Sequence, residues 1–488
     1  MKRILSLLTF IILCITVSAA NAGKPWDNGK LEVTKDGRYL MYHNGQPFFW
    51  LANTAWLMPQ RADRREVKYL LEASRKAGYN VVQILALDDV PSINTYGQMS
   101  NLNGWDFSDV DRKGVYGYWD HMDYIVQEAE RQGMYIAMTC LWGSLVVDGK
   151  MDGKEAVNYA TFLANRYKDY PNIIWIIGGN ADASKKRNVW DTLGSTIKSI
   201  DKNHLMTFHP CSIRVSSEWF SSVPWIDFHM FHSGHRRYGQ TMGDDWQYPI
   251  PLNTEEDNWQ YVAKAWSKTN IKPVLDGEPA YEDIPQGMVD EIEFLFGVND
   301  PTKWMDCDVR RYAYWSVFAG SCGHTYGHNA IMQFLKPGHS STYGDAGDVK
   351  SWYQALKDPG FSQMSILMNL MLKFPYFDRV PDQSVISGAN GEKYNRLIAT
   401  RGKDYLMVYN YTGKSMTIDF RKIEGEKKKI FWMDARTGRL LFLGVATNKV
   451  HPVAVNLDTP GIHDGVLIVF DAKKYYLTAT NNPIPVPE

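Results

Sequence analysis

The chain has 488 residues, a formal net charge of −1, 22% charged and 13% aromatic residues, and no low-complexity tract. That length exceeds one ordinary core and predicts at least two domains. The near-neutral balance points to no polyanionic partner, so no nucleic-acid binding is expected.

The N-terminus opens Met1-Lys2-Arg3, runs apolar from Ile4 to about Val17 and closes in Ala20-Asn21-Ala22. This is the layout of a secretory signal with an A-x-A-like cleavage site, and it is short for a membrane anchor. Residues 1–22 are therefore set apart as a signal peptide, which predicts a secreted or periplasmic protein without a membrane anchor. Leu13 ahead of Cys14 argues against a lipoprotein. Removing Lys2 and Arg3 from the 53 basic residues leaves 51 against 54 acidic ones, a balance of −3. The remaining cysteines, Cys140, Cys211, Cys307 and Cys322, match neither a zinc site nor a small disulfide scaffold in their spacing. Paired cysteines and buried free thiols both stay open.

From Leu31 to Leu51 the turn signals Asp36-Gly37 and Asn44-Gly45 predict a β-hairpin region. Apolar runs and amphipathic stretches then alternate. Strand candidates are Phe48 to Asn53, Asn80 to Leu87, Met134 to Gly143, and "IIWIIGG" from Ile173. The series continues with His204 to Pro210, Trp225 to His235, Lys272 to Pro279 and Tyr312 to Gly320. Helical spacing marks Asp63 to Gly78, Tyr118 to Gly133, a segment ending near Arg166, and Ser362 to Phe374. Eight strand units over roughly 270 residues predict a (β/α)8 TIM barrel across 23–380. A doubly wound open sheet is the alternative, but no G-x-G-x-x-G opens the first unit. Past Pro375 and Pro381 the pattern becomes short strands separated by turns such as Thr412-Gly413 and Thr437-Gly438. This predicts a C-terminal all-β sandwich domain over 381–488.

Barrel active sites lie at the carboxyl ends of the strands. The residues in and after those runs are Asn53 and Trp56, Gln83 with Asp88 and Asp89, Trp142, Asn180 and Asp182, and His209. Further along come His232 and His235, then Asp276, Glu278, Tyr281 and Glu282, and last His324, Tyr326 and His328. Aromatic faces that stack on sugar rings, beside amides, imidazoles and acids that bond hydroxyls, suit a carbohydrate. Asn53, Trp56, Gln83, Trp142, His209, His232, His235, Tyr281, Glu282, His324 and His328 are therefore the candidate substrate contacts. Core packing is the alternative for any single aromatic among them.

Glycoside hydrolysis needs two carboxyl groups flanking one bond. Glu278 in "DGEPAYE" is the first candidate, with a loop-mouth salt bridge as its alternative; Glu282 and Asp276 follow. Strand four offers Asn180 and Asp182. Metal ligation is the competing use of the histidines. His229, His232 and His235 recur every third residue, which on a strand alternates faces, and the glycines of "GHTYGH" argue for a loop. Sugar contact is the expected role, with no metal and no cofactor.

The motifs "WLANTAW", "NIIWIIGGN", "FHSGH", "KPVLDGEPAYE" and "GHTYGHNAIMQF", followed by a β domain, resemble glycoside hydrolase family 140, apiosidase-like enzymes of pectin degradation. The resemblance runs from about Leu31 to Asp471 and implies a pectic oligosaccharide or polysaccharide substrate. It implies Glu278 as one catalytic carboxylate. The family keeps an Asp directly after the Gly-Gly of strand four, where this chain has Asn180. An amide cannot donate that proton, which leaves three outcomes: Asp182 supplies it, the enzyme relies on good leaving groups, or the barrel binds sugar without cleaving it. A structural turn role for Asn180 also stays open. The C-terminal domain either binds a polymer or buttresses the barrel.

Overall fold

The computed structural model describes residues 23–235, 237–238, 256–268, 270–286, 303–339, 341, 350–454 and 464–477. The predicted signal peptide lies outside them. The hairpin region is a three-stranded antiparallel meander, Leu31–Val33, Leu40–Tyr42 and Pro47–Phe48, turning at the two Gly-containing pairs read from the sequence.

Eight strands follow: β1 (Trp50–Thr54), β2 (Val81–Leu85), β3 (Tyr135–Thr139), β4 (Ile173–Ala181), β5 (Met206–Pro210), β6 (His229–His232), β7 (Val274–Asp276) and β8 (Gly323–Tyr326). Six of them form one curled parallel sheet in the order β8-β1-β2-β3-β4-β5, and β6 pairs in parallel with β7. The Asp227 amide donates to the Met206 carbonyl at 2.8 Å and the Cys322 amide to Val274 at 3.0 Å, which closes the two pieces into a barrel. Between and after the strands lie α1 (Arg64–Lys76), α2 (Tyr118–Gln132), α3 (Gly153–Tyr167), α4 (Arg187–Ile200), α5 (Trp259–Trp266), α6 (Asp306–Phe318) and α7 (Pro359–Leu372). Local chemistry sets their ends. Asp63 caps α1 in a reciprocal box with Glu66, and Gly133 ends α2 in the left-handed region at φ 77°.

One predicted element changes type. Tyr312 to Gly320 reads as the eighth strand but lies mostly in α6, and the strand is Gly323–Tyr326. Every residue of α6 from Val309 to Phe318 is buried. Its second half, Tyr312 to Phe318, is enclosed on all sides and polar only at Ser316, so periodicity cannot distinguish that run from a buried strand.

The enclosure comes from the C-terminal domain. Its main sheet has the order β9 (Val380–Pro381), β10 (Ile398–Arg401), β11 (Tyr405–Asn410), β16 (Gly465–Asp471), β13 (Lys427–Asp434), β14 (Leu440–Thr447), and β12 (Met416–Asp419) pairs with β15 (Val450–Val453) in a second, two-stranded sheet. Side chains alternate between two cores. Leu406, Val408, Leu467 and Val469 pack with Ile418 and Phe420 inside the domain, while Tyr405, Met407, Tyr409, Ile468 and Phe470 join the barrel's core. Both faces of the central strands are therefore buried, which explains their nearly unbroken apolar sequence. All four cysteines named above are free thiols.

The seam is fixed by a buried ion pair. Arg310 on α6 donates through Nε and Nη2 to both oxygens of Asp464, each at 2.8 Å, and the Tyr409 hydroxyl donates to Asp464 at 3.0 Å. Arg310 Nη1 also donates to Asp306 and Gln363, so removing Asp464 leaves the guanidinium partly paired and costs the lost charge-assisted hydrogen bonds, about 1.5–3 kcal/mol. Asp464→Ala is accordingly expected to lower unfolding free energy by about that amount in chemical denaturation; a loss under about 1 kcal/mol would show that the pair does not hold the seam.

Candidate active site

Glu278 follows β7, two residues past its last strand residue, and is 8% exposed. Three imidazoles surround its carboxylate. His235 Nε2 lies 3.1 Å from Oε1, while His209 Nε2 and His232 Nε2 lie 3.3 and 3.6 Å from Oε2. Strand alternation explains which histidines arrive. His232 ends β6 pointing into the barrel, whereas His229, three residues earlier, faces outward to the Ser216 hydroxyl at 3.1 Å. His235 lies beyond the strand and returns to the centre because Gly234 turns the chain at φ 86°. Its backbone carbonyl accepts the Trp304 indole at 3.0 Å.

Burial alone would raise the Glu278 carboxyl, but the neighbouring His232, His209 and His235 hold it well below the usual carboxylate range. Burial pulls His232 down to about 3, against the opposing pull of the Glu278 charge. The His209 tautomer is set from behind: its Nδ1 accepts the Asn180 backbone N–H at 3.2 Å, leaving the ring proton on Nε2, toward Glu278.

That amide is positioned by the end of β4. The β4–β5 register slips between Gly178 and Ala181, and Gly178, Gly179 and Asn180 all take positive φ, 94°, 122° and 56°. A Cβ at Gly178 would meet the His209 carbonyl at 2.6 Å, and one at Gly179 the Leu141 carbonyl at 2.5 Å, so glycine is required at both. The Asn180 side chain is exposed, whereas Asp182 is buried with its Oδ1 accepting the Ser184 amide at 2.8 Å.

Trp56, Tyr281 and Trp142 form an aromatic wall beside the carboxylate. The Trp56 indole donates to the Tyr281 hydroxyl at 3.2 Å, Trp56 meets His209 edge-on with centroids 5.5 Å apart, and Trp142 is 6.3 Å from Trp56. Tyr281 also packs on His235 at 4.8 Å. Gln83 points into the barrel beneath, donating to the Gly277 carbonyl at 3.1 Å.

Four predicted contacts lie elsewhere. Asn53 faces the helix layer and donates to Ser74 on α1 at 3.1 Å. Glu282 accepts the Tyr326 hydroxyl at 2.5 Å and the Gly360 amide at 3.2 Å, at the start of α7. His328 lies 2.8 Å from Asp358, and its Nδ1 accepts the Ala330 amide. His324 lies within β8, on the same helix-facing side as Tyr326, and burial pulls it down to about 3. "GHTY" is strand rather than loop, so alternation sends His324 and Tyr326 outward. Asp276 also faces outward, to Ser233 and Asn258, and burial pushes it up to about 7. Trp304 is part of the apolar cluster with Trp56 and Tyr281, and no motif pointed to it.

With this geometry in hand, comparison with known proteins is direct. Residues 34–378 match the family model "Apiosidase-like, catalytic domain". The chain belongs to the apiosidase-like family. Residues 380–470 match the model "Putative collagen-binding domain of a collagenase". A solved structure titled "Glycoside hydrolase" is 55% identical, covers 93% of this chain and 100% of its own, and has a TM-score of 0.89. A glycoside hydrolase family 5 structure from Bacteroides vulgatus ATCC 8482 is 54% identical, with 95% and 98% covered and a TM-score of 0.90. No curated protein matches. This apiosidase-like protein is a glycoside hydrolase acting on O-glycosidic bonds, on a barrel related to those of families 5 and 140. Among the described residues no helix is long and apolar enough to cross a membrane.

The three imidazoles predict a pH effect. Glu278 stays ionised to well below its ordinary 4.5, so the acid limb of kcat/KM due to this group lies below that value. His235→Ala removes one N–H donor and is expected to move the limb upward; an unmoved limb would show that His235 does not stabilise the charged form.

Proposed function

We propose that this apiosidase-like enzyme cleaves a plant-type, pectic oligosaccharide or polysaccharide, with Glu278 as nucleophile or general base. The observation that carries the reading is the Glu278 carboxylate, buried beside an aromatic wall with three imidazole nitrogens within 3.6 Å. A base or nucleophile must be charged at working pH, and these contacts keep it so. Trp56, Trp142 and Tyr281 offer the faces on which sugar rings stack. The family match and the sequence resemblance to family 140 support an apiose-containing or related pectic glycoside as the substrate class.

The second carboxylate is the weak point of the machinery. Asn180 presents an amide where the resembling family keeps an acid, and Asp182 is engaged by Ser184 in the manner of an Asx turn. Asn180 in this reading binds substrate without protonating the leaving group, so glycosides with good leaving groups turn over best. Positioned acid help is worth about 10²- to 10⁴-fold.

Glu278→Gln is expected to abolish turnover of a responsive aryl glycoside, and unchanged turnover would end the assignment. Asn180→Asp is expected to raise activity toward poor leaving groups by about the same 10²- to 10⁴-fold, with little effect on good ones. If Asp182→Asn instead abolishes activity on poor leaving groups while sparing activated ones, Asp182 is the acid and Asn180 only a contact. Residues 1–22 act as an export signal in the same proposal, and N-terminal sequencing of the mature protein should begin at about residue 23.

A further inference from the structure

We propose that His232, His235 and Glu278 form a site for one divalent transition ion of the zinc class, and that the ion reversibly blocks the glycosidase by engaging Glu278. The inhibitory half of this inference rests on the role proposed for Glu278; the binding half does not.

Two imidazole nitrogens and one carboxylate are a known donor set for zinc with an open fourth position. The ligand atoms of these three buried residues all lie within 4.8 Å of one another. Bonds of about 2.0–2.1 Å in a tetrahedron put neighbouring ligand atoms about 3.3 Å apart. His235 Nε2 lies 3.1 Å from Oε1 and His232 Nε2 lies 3.6 Å from Oε2, so each imidazole is near that spacing from one oxygen of the carboxylate.

Separation alone would also suit hydrogen bonds, so the unpaired atoms decide the matter. Glu278 Oε2 lies within 3.6 Å of two imidazole nitrogens, yet among the described residues it accepts no aligned hydrogen bond, and Nδ1 of His232 and of His235 has no aligned partner among them. Among the described residues no aligned outer partner fixes the tautomer of either ring, and both can turn an Nε2 lone pair toward a cation. His209 differs, because the Asn180 amide occupies its Nδ1 and keeps the proton on Nε2. It is excluded as a ligand and supports the carboxylate from the outer shell. Imidazole and carboxylate together favour zinc, cobalt or nickel over magnesium or calcium, which prefer all-oxygen sites. A sugar and an ion would compete for the same carboxylate.

The test uses the full chain in metal-free buffer with ZnCl2, followed by equilibrium dialysis. One zinc per chain at micromolar free metal is expected, with binding weakened at least 10-fold in His232→Ala and His235→Gln and unchanged in His43→Ala, an exposed surface control. CoCl2 in place of zinc should give the intense visible absorption of a four-coordinate site. Zinc should inhibit turnover over the same concentration range, and EDTA should restore it. No saturable uptake, equal uptake by the two histidine variants, or activation by zinc would each overturn the proposal. Circular dichroism of His232→Ala and His235→Gln separates lost binding from lost folding. Should Glu278→Gln be inactive while the wild type takes up no zinc, this inference fails and the hydrolase reading stands. Should Glu278→Gln remain active while the wild type takes up zinc through the histidines, the assignment of Glu278 and the blocking role fail together.

Discussion

A carboxylate taken out of water at the mouth of a barrel must be given donors, and the upper rim of this protein is arranged around that requirement. Left alone, burial would favour the neutral form of Glu278. Strands β5 and β6 and the turn beyond β6 each deliver one imidazole to it. The dependence reaches farther back, because His209 can offer its Nε2 proton only while Nδ1 is occupied by the Asn180 amide. That amide is presented by a bulge that only Gly178 and Gly179 can form. Residues with no side chain thus set the hydrogen bonding of an imidazole beside Glu278.

The C-terminal domain joins the same chain of support. It covers α6, and Asp464 reaches across to Arg310 on that helix. Asn258 ties α6 to the rim: its amide donates to the Tyr312 carbonyl at 2.9 Å and to Asp276 at 3.1 Å. Asp276 in turn accepts the Ser233 hydroxyl at 2.7 Å, two residues ahead of His235. The side-chain links are buried hydrogen bonds joined by short stretches of chain, and the costs of breaking such bonds fall on the next group in line. The geometry therefore makes this domain a buttress of the imidazole cluster, with one face of its sheet spent on the barrel.

How much of this the sequence discloses follows from which physical signal each part carries. Seven barrel strands and the main amphipathic helices are legible because their burial is one-sided or their turns carry glycine. Helix α6 is illegible as a helix because a second domain removes its polar face, and a local pattern cannot report a partner some 150 residues away. The active-site residues split along the same line. Glu278, His209, His232, His235, Trp56, Trp142, Tyr281 and Gln83 gather in one place, while Asn53, His324, Glu282 and His328 serve the helix layer. Residue type marks a polar rim, but a strand sends alternate residues to opposite faces, and a one-residue error in where β8 runs exchanges inside for outside. His235 joins the centre only through the left-handed turn at Gly234, which spacing by threes does not encode.

Asn180 shows where backbone reasoning stops and chemistry begins. Its left-handed conformation suits a short polar side chain, and Asn and Asp both enter that region at modest cost. The bulge needs a backbone N–H at this position for His209, and every residue except proline supplies one. Neither the turn nor the hydrogen bond therefore demands the amide over the acid. What distinguishes the two is charge on an exposed side chain in the cleft. A carboxylate there would add a second negative group to the cleft that holds Glu278. The amide adds no charge there, and on the proposed reading Glu278 stays charged while the opposite strand offers no proton donor at this position.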